Sequence, residues 1–395
     1  MARNTLSSFT RARRVRQQES ILAQRVARPT SGSDLQTLSP AYFALVMATG
    51  FVSIAALQAG LRRVALALLC VNGVAYSALW LLTGLRVFRC CDHVLADLTD
   101  HQRAPGFFTA IAATCVLGSQ SLLIAGTLRF AFALWIAGLA LWLLLTYGIF
   151  TALIVKERKP SLGEGITGAW LLAVVATQSV AVLAALIAGH IGQPGRLEVN
   201  FVALSMWLWG GMLYIWMISL IFYRYTFFRF SPADLAPPYW INMGAMAIST
   251  LGGSLLIRNS ADAPYLRSLL PFLKGFTVFY WATGTWWIPM LIVLAVWRYA
   301  YRRFPLTYDP LYWGAVFPLA AYTVATFRMA EAMELAFLYP VSRVFLVIAI
   351  STWTLTFGAL LRQLAVRLGG RRLDASPPGS STRDTALGRA WTGVG

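Results

Sequence analysis

Apolar residues fall in ten long blocks, at 40–58, 64–85, 107–128, 130–155, 165–189, 201–223, 239–257, 276–299, 311–330 and 340–364. Short stretches rich in Arg, Lys, Gly, Pro and Asp separate them. At about 1.5 Å rise per residue, a helix of each length crosses most or all of a hydrocarbon core of roughly 30 Å. The pattern predicts ten transmembrane helices. Ser39-Pro40 supplies a helix start, with Ser as cap and Pro in the first turn. The division between the third and fourth spans is the least marked, resting on Gly126 and Arg129.

The ninth span is not built like a lipid-facing anchor. Residues 311–327 carry no charge, yet Pro318 sits in mid-span. A helical proline gives no N–H to the carbonyl four residues back, here Gly314, and its ring crowds that carbonyl. A bend between Gly314 and Pro318 is expected, with Phe317 at the bend. Irregular backbone at membrane depth is tolerated against protein or water, so this helix belongs inside a bundle.

Odd and even spans differ in kind. Tryptophan crowds the even spans, whereas the odd spans hold Trp170, Trp240 and Trp313. Tryptophan favours the membrane–water interface, which places even helices outside. The odd spans carry uncharged polar residues at depth, Thr49, Thr114, Gln178, Asn242 and Thr326 among them. They also carry Gly50, Gly118 and Gly314, small residues that permit close packing or leave room along a channel. The last span, rich in Ser and Thr, breaks the trend.

Composition fixes the class. Of 395 residues, 58% are apolar and 12% charged, against about 25% charged in a soluble domain. The net charge of +18 invites a nucleic-acid reading. Its location argues otherwise, because the basic residues lie in tails and short loops where topology signals lie. With ten spans the tails share a side, and the excess of Lys and Arg there puts both in the cytoplasm of a cell (inner) membrane protein. Residues 1–37 read as a disordered basic arm held near anionic lipid, 38–367 as the ten-helix domain, and 368–395 as a disordered tail. No cleavable signal is visible, and the Arg- and Ser-rich arm leaves an organelle transit peptide as the other reading.

No Asp, Glu, Lys, Arg or His falls in the middle of a span. Proton relays and substrate clamps place such groups there, so a pore of weak sites is expected rather than a tightly coupled pump. A membrane enzyme or scaffold would need buried ionisable clusters. The cysteines (Cys70, Cys90, Cys91, Cys115) and histidines (His93, His101, His190) show no ligand spacing, so no disulfide framework, metal or cofactor is expected. Arg328 and Glu331 share a helix face at i, i+3. They form either a surface ion pair or a pore mouth at which Arg328 concentrates anions.

Several runs carry a resemblance: Phe317-Pro318, Tyr322-Thr-Val-Ala-Thr326, the first span's Pro40-x-Tyr-Phe43 and Val46-Met-x-Thr-Gly50, and Gly284-Thr-Trp-Trp-Ile-Pro289. The chain from about 39 to 367 resembles the tellurite-resistance/dicarboxylate transporter family, which includes malate permeases and the slow anion channels of plants. That resemblance implies an all-α integral membrane fold of five helical hairpins, with odd-numbered helices around a central pore and even-numbered helices in an outer ring. It implies a gate at Phe317-Pro318. Phe43, Gly50, Gly118, Gly314 and Thr326 would line the pore, Arg328 would sit at its mouth, and the assembly would be a homotrimer. The implied activity is anion transport without catalysis. The cargo is a malate-like C4-dicarboxylate or an oxyanion linked to tellurite resistance, with a chloride or nitrate channel as the alternative and a membrane enzyme or scaffold as a remote one.

Overall fold

The apolar blocks fold as helices, and no strand occurs among the described residues. A computed structural model describes residues 35–229, 231–232, 234–235, 237–304 and 309–374, apart from the side chains of 310 and 367–374. Most of the basic arm and of the tail lies outside the described residues.

Among the described residues nine helices are long and apolar enough to cross a membrane: α1 (Pro40–Gln58), α2 (Arg62–Arg89), α3 (Ala104–Ala125), α4 (Leu128–Val155), α5 (Gly168–Ala188), α6 (Gly195–Phe227), α7 (Pro237–Asp262), α8 (Leu270–Tyr301) and, last of them, α10 (Ala336–Val366). Between α8 and α10 lies α9 (Trp313–Met333), 21 residues long, or about 31 Å at ~1.5 Å per residue. Pro318, Tyr322, Arg328 and Glu331 make it less apolar than the others, and it runs on through Pro318.

Local chemistry sets the boundaries. Ser39 accepts from the Ala41 N–H at 3.3 Å, with Pro40 beginning a turn of 3-10 helix that leads into α1. The weakly marked border between the third and fourth spans is made by Gly126. Its φ of 68° lies in the left-handed region that a residue without Cβ enters freely, and it stops α3 at Ala125.

Burial separates the helices into two sets. The most apolar windows of α1, α3, α5 and α7 are 72–100% buried, whereas those of α2, α4, α6, α8 and α10 are 6–50% buried. Most of α9 is buried too. Among the buried helices α1 packs on α3, α3 on α5, α5 on α7, α7 on α9, and α9 returns to α1. Five helices therefore form a ring. The other five lie outside it and expose Leu, Val, Phe and Ile side chains.

Each outer helix is tied to the ring by an aromatic donor near its middle. Tyr76 of α2 meets the Thr114 hydroxyl at 2.9 Å. The indole N–H of Trp142 in α4 donates to Thr177 at 2.8 Å, and that of Trp207 in α6 to the Ser249 carbonyl at 2.7 Å. Trp281 of α8 donates to Thr326 at 3.0 Å, and Trp353 of α10 to Thr49 at 3.0 Å. An unpaired hydroxyl or indole N–H in this setting costs free energy, and each pair satisfies both. These mid-helix aromatics are not an interfacial belt. The outward placement of the even helices holds, but through inward clamps rather than through tryptophan's interfacial preference.

Candidate functional site

The five buried helices run parallel, so equivalent positions meet at equivalent depth. Two cavities lie among them. The first, of about 330 Å³, is bounded by the starts of all five: Ala44 of α1, Thr109 of α3, Leu172 of α5, Ile241 of α7 and Gly314 of α9. Thr37, Gln102 and Arg103 form its polar rim. The second, of about 20 Å³, is bounded further along the same helices by Ile54, Ser119, Ser179, Ile248 and Val324, with Arg328 at its end. That volume is enough for roughly one water molecule.

Phe317 lies three residues beyond Gly314 and seven before Val324, between the levels of the two cavities. Its side chain is 1% exposed. Its ring meets that of Phe51 edge-on, with centroids 5.4 Å apart and planes at 68°. Phe51 also lines the smaller cavity. On the opposite side α7 comes in close at Gly244, where a Cβ would lie 2.9 Å from both Phe317 Cε1 and Pro318 Cγ. Ala or anything larger there would push the ring or the proline aside, so glycine's lack of a side chain sets the position of Phe317. Two residues before Gly244, Asn242 is fully buried and neither polar atom of its side chain has a partner among the described residues.

Charge is arranged at the two ends. At the larger cavity, Asp97 accepts from Arg86 at 2.6 Å and from Arg103 at 2.7 Å. One carboxylate faces two guanidinium groups, leaving a net positive charge. Burial, with Lys156 nearby, holds His101 below its usual 6.5, so at pH 7 its imidazole is neutral and adds no charge there. At the other end Glu331 pairs with Arg328 at 2.7 Å and lies 3.8 Å from Arg258, the same two-to-one arrangement.

The residues expected to line a pore divide. Gly314 borders the larger cavity and Arg328 the smaller. Phe43, Gly50, Gly118 and Thr326 border neither. Phe43 is packed outward against Tyr76 and Trp80 of α2. A Cβ at Gly50 would lie 2.4 Å from Val116, and one at Gly118 2.6 Å from Leu183, so both glycines permit close helix packing. Thr326 faces Trp281. Phe51, Arg103 and Gly244 were missed, and Asn242 stood out only as a polar residue at depth. A Phe, an Asn or a Gly in an apolar run carries no sign of the direction it faces, and Arg103 lies in a loop.

A ring of five apolar helices inside a second ring, with basic groups at both ends of its axis, defines an integral membrane protein of the transporter and channel class. Residues 37–361 match the voltage-dependent anion channel (SLAC1) family model, and the chain belongs to that family. It is similar to an uncharacterized transporter of Methanocaldococcus jannaschii, 26% identical over 300 residues, covering 74% of this chain and 83% of the relative. An uncharacterized membrane protein of Mycobacterium tuberculosis is 37% identical over 157 residues, 40% of this chain and 79% of that protein. A sulfite efflux pump of Arthroderma benhamiae is 24% identical over 243 residues, 58% of this chain and 62% of the pump.

Proposed function

We propose that anions cross the membrane along the axis of the ring formed by α1, α3, α5, α7 and α9, and that the Phe317 ring, braced by Phe51, is the plug. The observation that carries this reading is the pair of two-arginine, one-carboxylate clusters at the ends of an axis with no charge between them. Positive mouths raise the local anion concentration. A narrow apolar constriction blocks ions by steric closure and by excluding water. Movement of one side chain opens it. The unpaired amide of Asn242 offers a weak site to a partly dehydrated anion, and the hydroxyls of Ser119 and Ser179 do so only on turning from the Cys115 and Val175 carbonyls to which they donate, so the anion can leave again.

The proposed cargo is a small inorganic anion or oxyanion, sulfite included, the anion named for the pump that this chain resembles. The size of the smaller cavity and the single arginine beside it favour one compact charge. A C4-dicarboxylate such as malate is the second reading, supported by the roomier cavity rimmed by Arg103 and Gln102. The loops on the side of the tails carry the larger share of Lys and Arg, which supports both termini in the cytoplasm and residence in the cell membrane. Flux of chloride, nitrate, sulfite and malate into proteoliposomes, with and without a pH gradient, tests the assignment. Gradient-independent flux of the small anions is expected. Saturable malate uptake driven by the pH gradient would replace this reading with that of a coupled carrier.

A further inference from the structure

On the outer side of α9 lies a groove of about 400 Å³ that the proposed pathway does not use. Its walls are Ile288, Leu291 and Ile292 of α8, Leu319 of α9, and Phe345 and Ile348 of α10. Ile292 and Ile348 are exposed, so the groove opens on the face that meets lipid. At the end towards the chain's tails it closes on Arg298, Tyr299 and Tyr312. The backbone there is a single turn of π-helix, Trp297–Tyr301, a widened turn that recurs at functional sites.

Arg298 is 7% exposed. Its guanidinium lies 4.2 Å from the Phe304 ring centroid and 5.2 Å from that of Tyr299. Nε and Nη1 have no hydrogen-bond partner, and no carboxylate lies within ion-pair distance of it among the described residues. The other two buried arginines at this end, Arg86 and Arg224, each have an aspartate. A buried guanidinium without an anion is costly, and its planar edge suits a phosphate in two-point contact. The hydroxyls of Tyr299 and Tyr312, 3.1 Å apart and hydrogen-bonded to each other, stand beside it, and the one that accepts in that pair keeps its own O–H to donate.

We propose that this groove holds one anionic phospholipid, with its phosphate at the unpartnered nitrogens of Arg298 and the one tyrosine hydroxyl free to donate, and an acyl chain along α8, α9 and α10. A free phosphate would satisfy the arginine but leave the apolar walls uncovered. A lipid covers both, and its headgroup lies at the end of the helices where the basic loops gather.

Native mass spectrometry of the full-length protein, titrated with phosphatidylglycerol or with phosphatidylcholine of identical chains, tests this. Both lipids bring a phosphate, but the choline cation of phosphatidylcholine sets a like charge beside the guanidinium, and phosphatidylglycerol is expected to bind at least about tenfold more tightly, or ~1.4 kcal/mol. Arg298→Gln abolishes that preference and Arg298→Lys keeps part of it. Ile292→Trp, which fills the groove and leaves the arginine in place, reduces retention of phosphatidylglycerol. Equal affinity for the two lipids in the wild type, or an unchanged preference in a folded Arg298→Gln protein, overturns the proposal. So does displacement of phosphatidylglycerol by excess inorganic phosphate alone, which marks a headgroup-sized site. Loss of oligomer with unchanged lipid binding in Ile292→Trp identifies the groove as a contact between copies of the chain and also overturns it.

Discussion

Replacing Phe317 with Ala is the most direct probe of the proposed plug. The side chain is 1% exposed and its ring touches Phe51. Removing the ring frees space for roughly three waters at about 30 Å³ each. That space joins a cavity of about 20 Å³ on one side and approaches one of about 330 Å³ on the other. In a sealed core, Phe→Ala costs about 3–5 kcal/mol. Along a pathway, water enters the gap and offsets part of that cost. A hydrated column replaces the dry constriction, and each ~1.4 kcal/mol removed from the barrier raises the rate about tenfold. An increase in chloride or nitrate flux of at least about tenfold is expected in proteoliposomes, with protein quantity and size-exclusion profile matched to wild type. Phe51→Ala alone leaves the Phe317 ring in place and is expected to do less. A folded Phe317→Ala protein with wild-type flux would show that the ring is core packing and that no pathway runs past it.

Gly244→Ala places a Cβ against Phe317 and Pro318. It is expected to cost about 1–3 kcal/mol of stability by overpacking, read as an earlier thermal transition, and to alter basal flux. An unaltered protein would show that α7 does not position the plug. Arg328→Gln lowers flux more at low ionic strength than at high, because screening over about 10 Å at 0.1 M salt already removes much of the attraction. A salt-independent loss would mean a structural role. Trp281→Phe and Thr326→Val each weaken the fold by about 0.6 kcal/mol, the mean for an interhelical hydrogen bond in a membrane protein. The double variant costs less than the sum, and strict additivity in a thermal-shift cycle would show that the 3.0 Å contact is energetically idle.

The spans were legible because a segment that must cross a bilayer leaves a long apolar run. Among the described residues nine of them satisfy length and composition outright. The ninth expected span is helical and buried despite its proline and lower apolarity. The inner and outer sets were legible as well, though the physics differs from the expectation. The threonines of the odd helices read as a sign of inner helices, and Thr326 as a lining residue. Thr49, Thr114, Thr177 and Thr326 instead satisfy aromatic donors from outside the ring. A polar group at depth shows only that it needs a partner, and a single sequence does not say on which side the partner stands. For the same reason Gly50, Gly118 and Phe43 were indistinguishable from lining residues. Pro318 marked out its own neighbourhood, since a missing N–H is visible in one letter. Gly244, which fixes the ring of Phe317, was one glycine among 31.

Four of the five aromatic ties join a helix to the next one along the chain. The fifth does not: Trp353 reaches back across 304 positions to Thr49. During synthesis, each outer helix can anchor to its successor as it emerges, but the seam between α9 and α1 has no outer cover until translation is nearly finished. A chain cut short before its final helix could still bring α9 back to α1, but the outer side of that seam, with the Thr49 hydroxyl, would stand bare to lipid.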